Sequence, residues 1–285
     1  MSSPSNKHLI ETDWLAAHLD APDLVVFDAS WYLPTMKRNA KQEYAARHIR
    51  DALYFDIDDL ADDTSSLPHM LPSTVKFASR MKKLGVGDGM RIVIYDYEGL
   101  FSAPRAWWTF RVMGHGDVAV LNGGLKKWLA EGRAVTDELP RPRTPRHFTP
   151  RFNAGLVRDK ADMQALITSR AAQIVDARPA GRFAGTDPEP RAGLRSGHIP
   201  GSLSLPASKL LNPDGTMKDG EAIATALAAA GVDPTRPVVT TCGSGVAACV
   251  VSLALAVAKG ADPAVYDGSW SEWGADPNLP VATQS

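Results

Sequence analysis

The sequence predicts an α/β protein built as two tandem units, each a mainly parallel sheet flanked by helices. Three observations carry this expectation. Four blocks recur in the same order: Leu24–Ser30 with Gln173–Arg178, His48–Leu53 with His198–Leu203, Leu84–Asp96 with Ala230–Cys242, and Leu121–Trp128 with Tyr266–Trp273. Their offsets are 148, 150, 146 and 145 residues, which is the signature of a tandem duplication. Within each copy, short β-branched runs alternate with helical patterns, the ordering that produces parallel sheets. The chain has 285 residues, enough for two cores of ordinary size.

In chain order, the first fourteen residues (MSSPSNKHLIETDW) hold no apolar core of a signal peptide and no Arg-rich amphipathic pattern. The expectation is a cytoplasmic protein without a leader. A first domain is expected over residues 8–136, its short apolar strands alternating with helical patterns, with Asp28 and Asp96 paired by the repeat with Asp176 and Cys242. Residues 137–152 follow as an extended, semi-rigid linker. From Asp137 to Arg151 the chain carries four prolines and five basic residues (counting His147), with no apolar period. The second domain is expected over residues 153–285. At its centre, VVTTCGSGVAACVV (Val238–Val251) reads as a strand, a cysteine, a small-residue loop and a helix. The apolar run Val246–Ala258 is too short to span a bilayer and too long for an ordinary strand.

This order of elements aims backbone N–H groups and a helix N-terminus at the Cys242 sulfur, a setting that favours a thiolate. A buried packing cysteine is the alternative for such a position. In the first copy Asp96 stands where Cys242 stands in the second, so the first copy lacks the nucleophile. Its carboxylate is expected to serve simply as a stable group at a helix N-terminus. Cys249, inside the apolar run, is expected to be buried and inert.

Composition narrows the partners. With 31 basic and 32 acidic residues there is no electrostatic pull toward nucleic acid or a membrane surface. Two cysteines on one loop and helix make no disulfide framework and suit a reducing compartment. No cofactor or metal is expected.

Together the duplication, DASWYLP, the HIPGSL block, CGSGVAA and YDGSWSEW resemble the tandem rhodanese-type sulfurtransferases over most of the chain. Within that family, GRFAGTDPEPR and CGSGV are similar to the 3-mercaptopyruvate sulfurtransferases. The resemblance implies two rhodanese-like domains and transfer of a sulfur atom through a cysteine persulfide. The acceptor is then a small thiol, thioredoxin or cyanide, and pyruvate is released. It implies Cys242 as nucleophile, Arg182 and Arg191 as ligands of the substrate carboxylate and carbonyl, and Gly243, Gly245 and Val246 as further substrate-binding residues in the loop around the sulfur. It also implies Asp58, His69 and Ser244 as a proton-handling triad. A planar guanidinium fork suits a carboxylate. The arginines flank the Pro-rich TDPEP stretch, so a loop position over the site is expected, with pairing to Asp187 and Glu189 as the alternative. A hydroxyl usual after CGSGV is replaced by Ala247.

Three other functions compete with this one. A thiosulfate sulfurtransferase handles a dianion and calls for cations in the loop, where this chain has neutral Gly243 and Ser244. A cysteine phosphatase needs Arg six residues after the cysteine, and Ala248 stands there. A non-catalytic binding module predicts loss of the nucleophile or the loop glycines, and both are kept.

Overall fold

A computed structural model describes residues 7–283; the first six residues of the stretch read above for targeting signals lie outside them. The chain divides into two compact units. Among the described residues one comprises 7–63, 71–153 and 211–217, the other 64–70, 154–210 and 218–283. Each unit therefore takes one short segment from the other half of the sequence.

The first unit runs β1 (Leu9–Ile10), α1 (Thr12–His18), β2 (Leu24–Asp28), α2 (Ala40–Ala46), β3 (Leu53–Tyr54), α3 (Ile57–Leu60), α4 (Thr74–Lys83), β4 (Arg91–Tyr95), α5 (Ala103–Val112), β5 (Val118–Leu121) and α6 (Gly124–Ala130). Its sheet has the order β1-β5-β4-β2-β3, and every pairing is parallel. All five residues of β2 are buried, as a strand covered by helices on both faces requires. One face carries Leu15, Val93, Leu125 and Trp128. On the other, Phe27, Phe55, Phe77 and Phe110 pack ring against ring, and Phe148 joins them edge-on to Phe77 and Phe110. The Pro-rich residues 137–152 thus run without regular structure while anchoring one aromatic in a core.

The second unit repeats the plan: β6 (Val157–Arg158), α7 (Lys160–Ser169), β7 (Gln173–Asp176), α8 (Ala180–Ala184), β8 (Leu203–Ser204), α9 (Gly220–Ala229), β9 (Val238–Thr241), α10 (Val246–Lys259), β10 (Ala264–Tyr266) and α11 (Ser269–Trp273). The order β6-β10-β9-β7-β8 is again wholly parallel. Register confirms the repeat residue by residue. Asp28 lies opposite Tyr95 and Tyr54, and Asp176 lies opposite Thr241 and Ser204. The helix expected over Val246–Ala258 is α10, one residue longer, and Gly260 in a left-handed conformation ends it. Ten of its residues are buried. At about 1.5–3 kcal/mol for each large aliphatic side chain, this burial fixes the helix N-terminus beside the end of β9. Among the described residues no helix is long and apolar enough to cross a membrane.

Candidate active site

Cys242 follows the last residue of β9, and three small residues separate it from α10. Gly245, at φ +78°, makes the turn into the helix in a conformation that glycine adopts without steric cost. The loop is clamped from behind by the DGSWSEW segment. Trp270 N–H donates to the Cys242 carbonyl at 2.9 Å and Ser271 N–H to the Gly243 carbonyl at 2.9 Å. The Ser271 hydroxyl donates to the same Gly243 oxygen at 2.7 Å. Cys242 N–H donates to Ser269 Oγ at 3.3 Å, and that hydroxyl donates to the Tyr266 carbonyl at 2.8 Å. With these carbonyls tied toward α11, the loop meets α10 at the positive end of the helix dipole. Cys242 is 2% exposed. Cys249 is fully buried, its thiol donating to the Gly245 carbonyl at 3.1 Å, and the two cysteines are unbridged.

The first unit displays what this corner of the fold does to an anion. Asp96 accepts backbone N–H bonds from Gly99, Phe101, Ser102 and Ala103 at 2.7–2.9 Å, at the start of α5. It takes the place at a helix N-terminus that the sequence predicts. Burial nonetheless pushes its carboxyl upward, against those hydrogen bonds.

Both arginines reach the Cys242 loop. A Cβ placed on Gly243 would lie 3.0 Å from Arg182 Nη2 and 3.9 Å from Arg191 Nη1, so glycine is what leaves room for the guanidinium groups. The loop placement expected for both holds for Arg191 alone; Arg182 sits on α8. Arg182 donates through Nε at 3.2 Å and Nη2 at 2.5 Å to Glu189 Oε2, the pairing set out as the alternative. It is not a solvated pair, because the Glu189 side chain is only 2% exposed. Asp187 packs against Gly181 instead. Behind Glu189 stands Arg178, which bonds Glu189 Oε1 at 2.7 Å and holds Asp176 through Nε and Nη2. Asp176, Arg178, Glu189 and Arg182 therefore form one buried line of alternating charge ending at the loop.

Arg191 Nη2 lies 3.3 Å from Ser244 Oγ and 3.4 Å from His69 Nε2. A guanidinium only donates, so Arg191 is the donor toward Ser244 Oγ and His69 Nε2. His69 reaches this place because residues 64–70 belong to the second unit. It is 7% exposed and takes φ +62°, following Pro68 in a tight loop. Of the sequence-predicted residues, the second unit brings together Cys242, Gly243, Ser244, Gly245, Val246, Arg182, Arg191 and His69. Asp58 belongs to the first unit, on α3, where it accepts the Trp31 indole N–H at 3.0 Å. Sequence reasoning overlooked Ser269, Ser271 and the Arg178–Glu189 line. The DGSWSEW block and the Asp-Ala-Arg end of β7 were visible as repeats, but not as supports of the cysteine loop.

The model of the rhodanese-like domain matches residues 11–131 and 159–276, one match in each unit. The chain belongs to the rhodanese family. It is a sulfurtransferase by its relatives: 42% identity over 96% of this chain and 94% of human 3-mercaptopyruvate sulfurtransferase, and 43% over 97% and 98% for the Escherichia coli K12 enzyme of that name. Bovine thiosulfate sulfurtransferase is 43% identical over 93% of this chain and 91% of its own length. Among solved structures, the 3-mercaptopyruvate sulfotransferase SseA of Escherichia coli aligns with a TM-score of 0.84 at 39% identity, covering 92% of this rhodanese and 98% of SseA.

Proposed function

We propose that this rhodanese is a 3-mercaptopyruvate sulfurtransferase with Cys242 as nucleophile. The observation that carries the reading is the pair of guanidinium groups over the Gly243 backbone, one of them tied to both Ser244 and His69. Mercaptopyruvate brings a carboxylate and an adjacent carbonyl, two oxygen-bearing groups for two planar forks. The Cys242 thiolate attacks the substrate sulfur, forming a sulfur–sulfur bond as the carbon–sulfur bond breaks. The electron pair passes onto carbon as pyruvate enolate, whose oxygen charge the arginines oppose as it develops. Protonation of the enolate carbon gives pyruvate and leaves Cys242 as a persulfide. An acceptor thiol then takes the outer sulfur, and Cys242 regains its thiol. Thioredoxin or a small thiol suits this step, cyanide yields thiocyanate, and a cytoplasmic, reducing setting keeps both cysteines reduced. The distances of 3.4 and 3.3 Å from Arg191 support a proton-handling role for His69 and Ser244, with Asp58 as the third member implied by the family pattern.

Intact mass after incubation with mercaptopyruvate tests the reading. A gain of one sulfur atom, lost in Cys242→Ser, supports it; no gain overturns it. The second reading, thiosulfate as donor, is favoured by the bovine relative's equal identity. The loop itself is neutral, yet Arg182 and Arg191 bring charge to it from elsewhere, so absence of loop cations does not exclude a dianion. The ratio of kcat/KM for the two donors separates the readings.

A further inference from the structure

The first unit contains a cavity of about 440 Å³ at the C-terminal ends of β2 and β4, and no step of sulfur transfer uses it. The repeat explains why it is there. In the second unit the corresponding volume is filled by a side chain: the Arg178 guanidinium, 1% exposed, gripped by Asp176 and stacked 4.3 Å from the Trp270 ring centre. The equivalence is fixed by backbone bonds. Ser30 N–H donates to Asp28 Oδ1 at 2.9 Å as Arg178 N–H donates to Asp176 Oδ1 at 3.0 Å. Leu125 N–H donates to the Asp96 carbonyl as Trp270 N–H donates to that of Cys242. Ser30 and Leu125 thus stand for Arg178 and Trp270, and both line the cavity. Two positions that are large in the second unit are small in the first, and the carboxylate between them is common to both.

We propose that this cavity is a binding site for a small guanidinium cation, with Asp28 as its counter-ion. Asp28 is 1% exposed and lines the cavity, where the second unit's geometry is that of a carboxylate receiving a guanidinium fork. Tyr32, Tyr44 and Tyr97 also line it, together with Arg38 and Arg47, and aromatic rings are surfaces on which a delocalised cation stacks. The resident Arg38 shows such stacking, 3.9 Å from the Tyr32 ring centre and 4.4 Å from that of Tyr97. Its charge is met by both Glu43 and Glu98, so Asp28 remains for the ligand. Neutral donors, Ser30 and the Tyr95 hydroxyl, hold Asp28 meanwhile, and burial raises its carboxyl to about 6, so it is ionised at pH 8.

Titration calorimetry of the full chain at pH 8 tests this with methylguanidinium and L-arginine, and with methylammonium as control. Both guanidinium probes should bind in the millimolar range or tighter, and more tightly than methylammonium. Asp28→Asn should weaken them tenfold or more. Ser30→Arg should abolish binding by supplying a tethered guanidinium, and Leu125→Trp should weaken it by rebuilding the other wall. Circular dichroism establishes which variants fold, and any one of the three that does so decides the matter. The proposal is overturned if the wild type binds neither guanidinium probe, if methylammonium binds as tightly, or if the folded variants bind as the wild type does. Sulfur transfer should be unchanged in all three.

Discussion

Replacing Glu189 by Gln removes the negative charge that two arginines share. Glu189 lies 2.7 Å from Arg178 and 2.5 Å from Arg182, with its side chain 2% exposed. Arg178 keeps Asp176, so the loss falls on Arg182, whose guanidinium faces Gly243. Two consequences follow in opposite directions. Breaking a buried ion pair by removing one partner costs about 3–5 kcal/mol, and retention of the amide's shape puts this variant at the low end. Denaturant titration should therefore show a loss of roughly 3 kcal/mol. At the same time the site becomes more positive by one charge. Across one guanidinium, on the order of 7 Å at an effective dielectric of about 20, that is about 2 kcal/mol for each unit of charge on the donor. Thiosulfate carries one more negative charge than mercaptopyruvate, so kcat/KM for thiosulfate relative to mercaptopyruvate should rise by up to about thirtyfold. Steady-state kinetics with both donors measures the ratio directly. An unchanged ratio in a destabilised variant would refute the idea that the buried line of charge sets the potential at the loop.

Cys242→Ser should abolish sulfur transfer while leaving the fold intact, and Cys249→Ser should keep most activity, as intact mass and turnover will show. Arg191→Ala should lower kcat/KM for mercaptopyruvate by roughly 10–150-fold. Arg191→Lys should rescue it incompletely, because a point charge lacks the planar fork; equal losses with thiosulfate would count against a carboxylate-binding role. Stability should also respond to Asp28, whose carboxyl rises from 3.8 to about 6, chiefly through burial. A folded-state value above the unfolded one stabilises the protein fully below pH 3.8, and that contribution is lost as pH rises through 6. The loss amounts to about 3 kcal/mol. Subtracting the pH–stability curve of Asp28→Asn from that of the wild type should isolate this decline, and a flat difference between pH 4 and 7 would contradict it.

Much of this molecule is legible in its sequence because the signals are local. Val238–Thr241 is a strand and Val246–Lys259 a helix for reasons contained in those residues: β-branching, then small residues, then an unbroken apolar run. The duplication is visible because its blocks are the strand ends and turns that every copy of the fold needs. What stayed hidden depends on burial and on distant partners. Glu189 lies in a polar, proline-containing stretch and reads as a solvated residue; only the fold reveals it closed between Arg178 and Arg182. His69 carries no local sign that its segment belongs with residues beyond 154. Ser269 and Ser271 sit in a block recognisable as a repeat, yet their bonds to Cys242 and Gly243 span 27 and 28 residues.

The exchange of short segments bears on how the chain can be made and divided. Residues 211–217 belong to the first unit, where Met217 N–H donates to the Asn122 side-chain oxygen at 2.9 Å and Gly215 lies against Gly99. On a ribosome, then, the first unit is not finished when its own half of the message has been read. It waits for a stretch that begins 58 residues later, after β7 and β8 of the second unit have emerged. A gene cut at residue 153 would yield two fragments, each lacking the short segment that the other carries.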